Sequence, residues 1–176
     1  MSFAIKMVAI GYLFMRLNFS IGNLHLIPNW VGYLLIWHAL SDISEEEPSA
    51  KLLRPFAVLL TVWEGIRWLV LLFGGNLSEI GIGVIVTVVS IYFDFQLMTN
   101  LANIAERYGC PEKNKILTMR TILTISSTLM VFPIPWDEYR GFTIIFLIIT
   151  AVIALWLCVV LFSLKRSLEE IENMTE

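Results

Sequence analysis

Residues 62–72 read Val-Trp-Glu-Gly-Ile-Arg-Trp-Leu-Val-Leu-Leu, with Glu64 and Arg67 three residues apart in a run otherwise apolar or small. The whole chain is 57% hydrophobic and 15% charged. A soluble domain has about half apolar and about a quarter charged residues, so the run reads as part of a membrane-spanning helix. A charge at the centre of such a helix costs about 2.5–3.5 kcal/mol on insertion scales. Both side chains are therefore expected to face the interior of a bundle and find partners there.

Outward from this run, hydropathy places six segments at 3–20, 28–42, 53–74, 79–106, 115–133 and 140–164. A span needs about 20 mainly apolar residues. The prediction is an all-α polytopic transmembrane bundle forming one domain over residues 1–176. The second segment is short, and residues 21–42 leave two readings open, a full span or a re-entrant segment. The short apolar stretch after Lys6 reads as an uncleaved first helix. Pro28 suits the first turn of a helix. Gly74-Gly75-Asn76 is a turn, Ser78 and Asp137 are candidate caps, and Pro133 and Pro135 end the fifth segment.

Charge gives an independent test, because cytoplasmic loops are enriched in Lys and Arg. Lys6, Lys51, Arg54, Arg107, Lys113, Lys115, Lys165 and Arg166 fall at one set of alternate segment ends. The other loops, around 21–28, 74–78 and 134–139, hold no Lys or Arg. Six spans with both termini in the cytoplasm fit that alternation, and five break it. Trp30, Tyr33, Trp136 and Tyr139 then group at the outer interface, where aromatic rings prefer to sit. The acidic run 45–47 and the tail 165–176 read as solvated surface.

At 1.5 Å rise per residue, Glu64 lies about 15 Å from the cytoplasmic edge, Arg67 about 20 Å, Arg16 about 18–20 Å and His38 about 15 Å. Four ionisable groups from three helices are thus expected in one layer. One glutamate does not balance two arginines, so one guanidinium is left for an anionic group. Tyr12 shares a stripe with Arg16, and Trp68 shares a face with Glu64, Thr61 and Ala57. Arg16, Glu64, Arg67, His38, Tyr12 and Trp68 form the candidate ligand-binding set. The other reading is an Arg–Glu–Arg triad closed on itself.

A second layer lies lower, with Asp94 and Arg120 both about 8–10 Å from the cytoplasmic edge. Gly83, Thr87, Ser90 and Asp94 share one helical face; Arg120, Thr124 and Ser127 share another. The pair reads either as a structural ion pair or as an ion or proton relay. His38 and Asp42, four residues apart, admit a proton switch or a neutral, hydrogen-bonded histidine.

Neither a catalytic nor a nucleotide-binding motif is present, so no enzyme is expected. Cys110 and Cys158 have no metal-type spacing; neither a metal nor a cofactor is implied. No basic stripe with interleaved aromatics points to nucleic acid. Two function classes remain. One is a membrane protein that binds or translocates a small polar or anionic solute through an outward-facing cavity. The other is a non-catalytic accessory subunit, in a homodimer or a membrane complex, whose buried charges are structural.

Residues 23–40, Asn-Leu-His-Leu-Ile-Pro-Asn-Trp-Val-Gly-Tyr-Leu-Leu-Ile-Trp-His-Ala-Leu, carry Pro28, Asn29, Trp30, Gly32 and Tyr33. The stretch resembles a motif of small polytopic membrane proteins of Gram-positive bacteria that bring no established activity with them. Ile27 stands where that motif has leucine, and the match covers under a fifth of the chain. The resemblance implies a bacterial cytoplasmic membrane and a multi-pass protein. Size and span number also resemble the substrate-binding subunits of energy-coupling-factor vitamin transporters. Ala4, Ala9 and Gly11 do not reproduce the Ala-xxx-Ala spacing of those subunits.

Overall fold

The computed structural model describes the backbone of residues 1–16, 20–21, 24–25, 28–75, 80–132 and 138–175, and the side chains of 1–15, 28–75, 82–132 and 138–174. Six α-helices make up nearly all of it: α1 (Ser2–Arg16), α2 (Asn29–Glu46), α3 (Arg54–Leu72), α4 (Ile80–Arg107), α5 (Glu112–Val131) and α6 (Arg140–Thr175). A 3-10 segment, Pro48–Leu53, leads into α3. Between α1 and α2 two short strands, β1 (Ser20–Ile21) and β2 (Leu24–His25), pair antiparallel. The first helix thus stops at Arg16 rather than at residue 20.

Local chemistry accounts for the other boundaries. Pro28 is extended and α2 starts at the next residue. Among the described residues, the left-handed backbones Gly74 at φ 74° and Gly109 at φ 68° follow α3 and α4, where a Cβ would be strained. Gly109 and Cys110 donate back to the carbonyls of Glu106 and Ala105, closing the last turn of α4. The expected caps Ser78 and Asp137, and Pro133 and Pro135, lie outside the described residues.

Among the described residues, three helical stretches are long and apolar enough to cross a membrane: Pro48–Leu72, Ile82–Arg107 and Arg140–Met174. α1 is apolar but has 15 residues, about 22 Å of rise against a hydrocarbon core of about 30 Å. α2 is one continuous helix of 18 residues whose last two turns turn polar, Ser-Asp-Ile-Ser-Glu-Glu. α5 begins Glu-Lys-Asn-Lys.

Sequence neighbours pack side by side, and α6 returns to α1, so the bundle closes as a ring; α3 and α4 touch least. Both chain termini lie at one end, where the Met1 amino group sits 3.2 Å from Glu172. Packing divides the molecule into a terminal half, holding that end, and a distal half. Among the described residues, none is buried in α3 beyond Leu60, in α4 before Phe93, in α5 beyond Ser126 or in α6 before Ala154. Ile5, Ile36, Leu40, Leu97, Leu101 and Leu161 form the terminal part of a core that reaches the distal cavity through Tyr33.

Two expectations about that end are corrected. The tail is not wholly solvated: α6 continues to Thr175, with Leu168 buried and Ile171 packed against the core. Nor is the acidic run free surface. Arg107 donates to the Glu46 carbonyl and sits 3.4 Å from Glu47, tying the end of α2 to the end of α4. Glu112, which begins α5, is buried and accepts hydrogen bonds from Ser163 (2.7 Å) and Ser167 (3.2 Å) of α6.

Candidate functional site

The distal half is hollow. A cavity of about 580 Å³ lies inside the ring, and every helix contributes to its wall. α4 presents Gly83, Thr87, Ser90 and Asp94, the face its 3.6-residue period predicts. α5 adds Ser126 and Ser127, and α6 adds Thr150. Hydroxyls in a helix satisfy themselves locally while still offering lone pairs inward. Thr87 donates to the Gly83 carbonyl at 2.8 Å and Thr150 to that of Phe146 at 2.9 Å. Met15, Leu60, Trp63, Val86, Met130 and Phe146 supply the apolar part of the wall.

The charged edge is built by α2 and α3. Glu64 accepts a hydrogen bond from Asn29 Nδ2 at 3.3 Å and lies 3.7 Å from Arg67 Nη1, one turn on. The Glu64 side chain is 17% exposed and that of Arg67 56%. Arg67 therefore keeps donors that Glu64 does not occupy, since a guanidinium carries five. An ion pair this exposed contributes no more than about 1 kcal/mol.

The cavity face of α3 is rotated from the expected one. Leu60, Trp63, Glu64 and Arg67 line it; Thr61 and Trp68 do not, and Ala57 is buried below. His38 is exposed and is not part of the wall. At about 100° per residue it stands roughly 160° round α2 from Ile36, which is fully buried. Asp42 is exposed too. The side chain of Arg16, like those of Ser20 and His25, lies outside the described residues, as do Asn18 and Asn23.

Tyr12 is buried and lines a second, smaller chamber with Asp94, Arg120, Thr124 and Ser127. Arg120 donates from Nη1 to Thr99 at 2.9 Å and lays its guanidinium 4.2 Å from the Phe95 ring centre. Asp94 and Ser127 belong to the walls of both chambers.

The 28–33 motif acquires a physical meaning at this site. Asn29 holds Glu64. Gly32 lets α2 approach α1: a Cβ there would come within 2.6 Å of the Gly11 carbonyl oxygen, and one on Gly11 within 2.7 Å of that of Gly32. Tyr33, expected at the membrane interface, is 8% exposed and points inward. Its hydroxyl shares a 2.9 Å hydrogen bond with Ser90, and its ring meets Phe93 edge-on at 5.8 Å. Asn29 and Tyr33 are thus residues of the candidate site that the sequence offered only as parts of a pattern. A polar residue just after Pro28 reads equally well as helix-start chemistry.

Among the described residues no group of three His, Cys, Asp or Glu side chains comes together to hold a metal. Perturbed titrating groups are found in the α4–α5 turn and the tail. Burial, then Glu112, raises the Cys110 thiol; burial, then Glu46, raises the Tyr108 hydroxyl. The hydrogen bond from Lys165 lowers Glu169. No protein-family model, curated protein or solved structure matches the chain.

Proposed function

We propose that this chain is a six-span protein of the bacterial cytoplasmic membrane, with both termini inside, whose distal cavity binds or passes a small polar or anionic solute arriving from outside. The observation that carries the reading is a cavity of about 580 Å³ walled by all six helices, with a half-exposed guanidinium, Arg67, at its edge. Ligand sites in membrane bundles are built this way, with ionisable groups facing an internal cavity instead of lipid. A planar guanidinium fork suits a carboxylate or phosphate oxyanion. The Lys and Arg residues named above support the orientation, since they gather at the helix ends of the terminal half.

A panel of inorganic phosphate, small carboxylates, amino acids and sugars, added to the purified full-length protein, tests the binding. At 100 times its Kd a ligand stabilises by about 2.7 kcal/mol. The expected result is a rise in Tm with one of these, lost in Arg67→Gln. If none raises Tm, or the rise survives Arg67→Gln, the reading fails. Topology is tested separately. Single cysteines at Asn76 and Asn114, in a variant lacking Cys110 and Cys158, are expected to label from opposite sides of the membrane.

The accessory-subunit reading draws on a different observation. Asn29, Glu64 and Arg67 already form a chain of contacts within the protein. It predicts unchanged Tm across the panel and co-purification of the chain with a membrane partner.

A further inference from the structure

The smaller chamber measures about 10 Å³ and lies beneath the cavity floor. Its most demanding occupant is Arg120. Nη1 of that residue is engaged by Thr99 and the guanidinium face by Phe95, but Nε is buried with no hydrogen-bond partner in the protein. A buried N–H on a cation is costly to leave unmade. A space of about 10–15 Å³ is enough for a single water, provided two to four polar groups surround it. The chamber wall meets that condition, with Arg120 as donor and Asp94, Thr124 and Ser127 as oxygen-bearing neighbours. The Thr124 hydroxyl already donates to the Arg120 carbonyl at 2.8 Å, so its free role is as acceptor.

We infer that this chamber is a water site, in which one buried water accepts from Arg120 Nε and links it to Asp94 and Ser127. Because Asp94 and Ser127 also wall the large cavity, that water is the inner end of a hydrated path descending from the distal side. The path ends there. On the terminal side, Leu97, Leu101 and Ile104 of α4 and Ile116 of α5 are 0% exposed. Packed alkyl groups of this kind exclude water. The chamber is therefore reached from the distal side, which makes this arrangement a bundle open at one end and close-packed at the other. The inference stands whether or not the cavity takes a solute.

Two measurements on the full-length protein test it. A structure determined to better than about 2 Å is expected to show one solvent peak within hydrogen-bonding distance (about 3 Å) of Arg120 Nε. Well-ordered chamber side chains with no such peak overturn the inference. Solvent access is read with silver ion, which is small and thiol-specific, on Cys110→Ser/Cys158→Ser protein carrying Ser127→Cys, Thr124→Cys or Leu101→Cys. Protection from alkylation after unfolding, measured by mass spectrometry, is expected at 127 and 124 and absent at 101. Thr124→Cys as inert as Leu101→Cys would remove the path. A solute that fails to raise Tm bears only on the binding proposal.

Discussion

In the terminal half, α4 buries Phe93, Leu97, Leu101 and Ile104 completely, and small residues such as Ala39, Ala57, Ala102 and Ala105 bring the helix backbones together. In the distal half the same helix buries nothing that is described and turns Gly83, Thr87 and Ser90 toward a space. The solvent-side neighbours of those residues, Val84, Ile85 and Val88, are exposed apolar surface of the kind lipid covers. The contrast teaches how one set of helices makes both a seal and a vessel. Alkyl groups at inward positions close-pack and leave no room. The Thr87 and Thr150 hydroxyls, satisfied by their own backbones, have no need of a partner across the bundle, whereas Ser90 finds one in Tyr33.

The largest test of that contrast is a pair of truncations. Leu97→Ala in the sealed half removes packing that nothing replaces and is expected to cost about 2–5 kcal/mol. Val86→Ala, on the cavity wall, is expected to cost under about 1 kcal/mol because its neighbours already face space. Equal losses by thermal denaturation in detergent would mean that the distal half is as tightly packed as the terminal half.

A pair of glycine substitutions comes next. Gly32→Ala forces a Cβ to within 2.6 Å of the Gly11 carbonyl oxygen, a backbone atom that has little room to move. Overpacking of this kind costs about 1–3 kcal/mol. Gly83→Ala meets nothing within 4 Å. There the better helix propensity of alanine is expected to stabilise α4 by about 0.5–1 kcal/mol. A destabilised Gly83→Ala protein would argue that the distal helices close on one another.

A third test compares two arginines. Arg67→Gln, at an exposed site, is expected to change stability by no more than about 1 kcal/mol. Arg120→Gln loses a charged hydrogen bond in a buried chamber and is expected to cost about 1.5–3 kcal/mol. Chemical denaturation of the two variants side by side decides the order.

The smallest effect is at the terminal end. Burial and the nearby Glu112 carboxylate both disfavour the Cys110 thiolate, raising its pKa. The folded state thus holds the thiol proton more tightly than the unfolded chain. That contribution is fully present at neutral pH and declines as the pH climbs past the ordinary thiol value. Alkylation of Cys110 in a Cys158→Ser variant is expected to be slower than that of a small free thiol from neutral to mildly alkaline pH. Matching rates would show that the terminal end is open to solvent.

Helix boundaries were legible wherever the signal is local. Pro28 before α2 and Gly109 after α4 restrict their own backbone, whatever surrounds them. The polar face of α4 was legible as well, because Gly83, Thr87, Ser90 and Asp94 repeat with the helical period. The packed side of the tail was written in the spacing of Leu168 and Ile171, but the surrounding charges masked it.

What the sequence by itself determined is an apolar, all-helical chain with stretches long enough to cross a membrane, the six helices and which residues of each share a face. These follow from composition, apolar periodicity and turn chemistry, all properties of one segment at a time. Which face turns inward was decided only by tertiary contact. The meeting of Gly11 with Gly32 sets the rotation of α2, which carries Tyr33 to Ser90 and leaves His38 outside. Likewise Trp63 and Arg67, and not Trp68, line the cavity. Depth along a helix follows from counting residues at 1.5 Å each, whereas rotation about its axis depends on the shape of its neighbours.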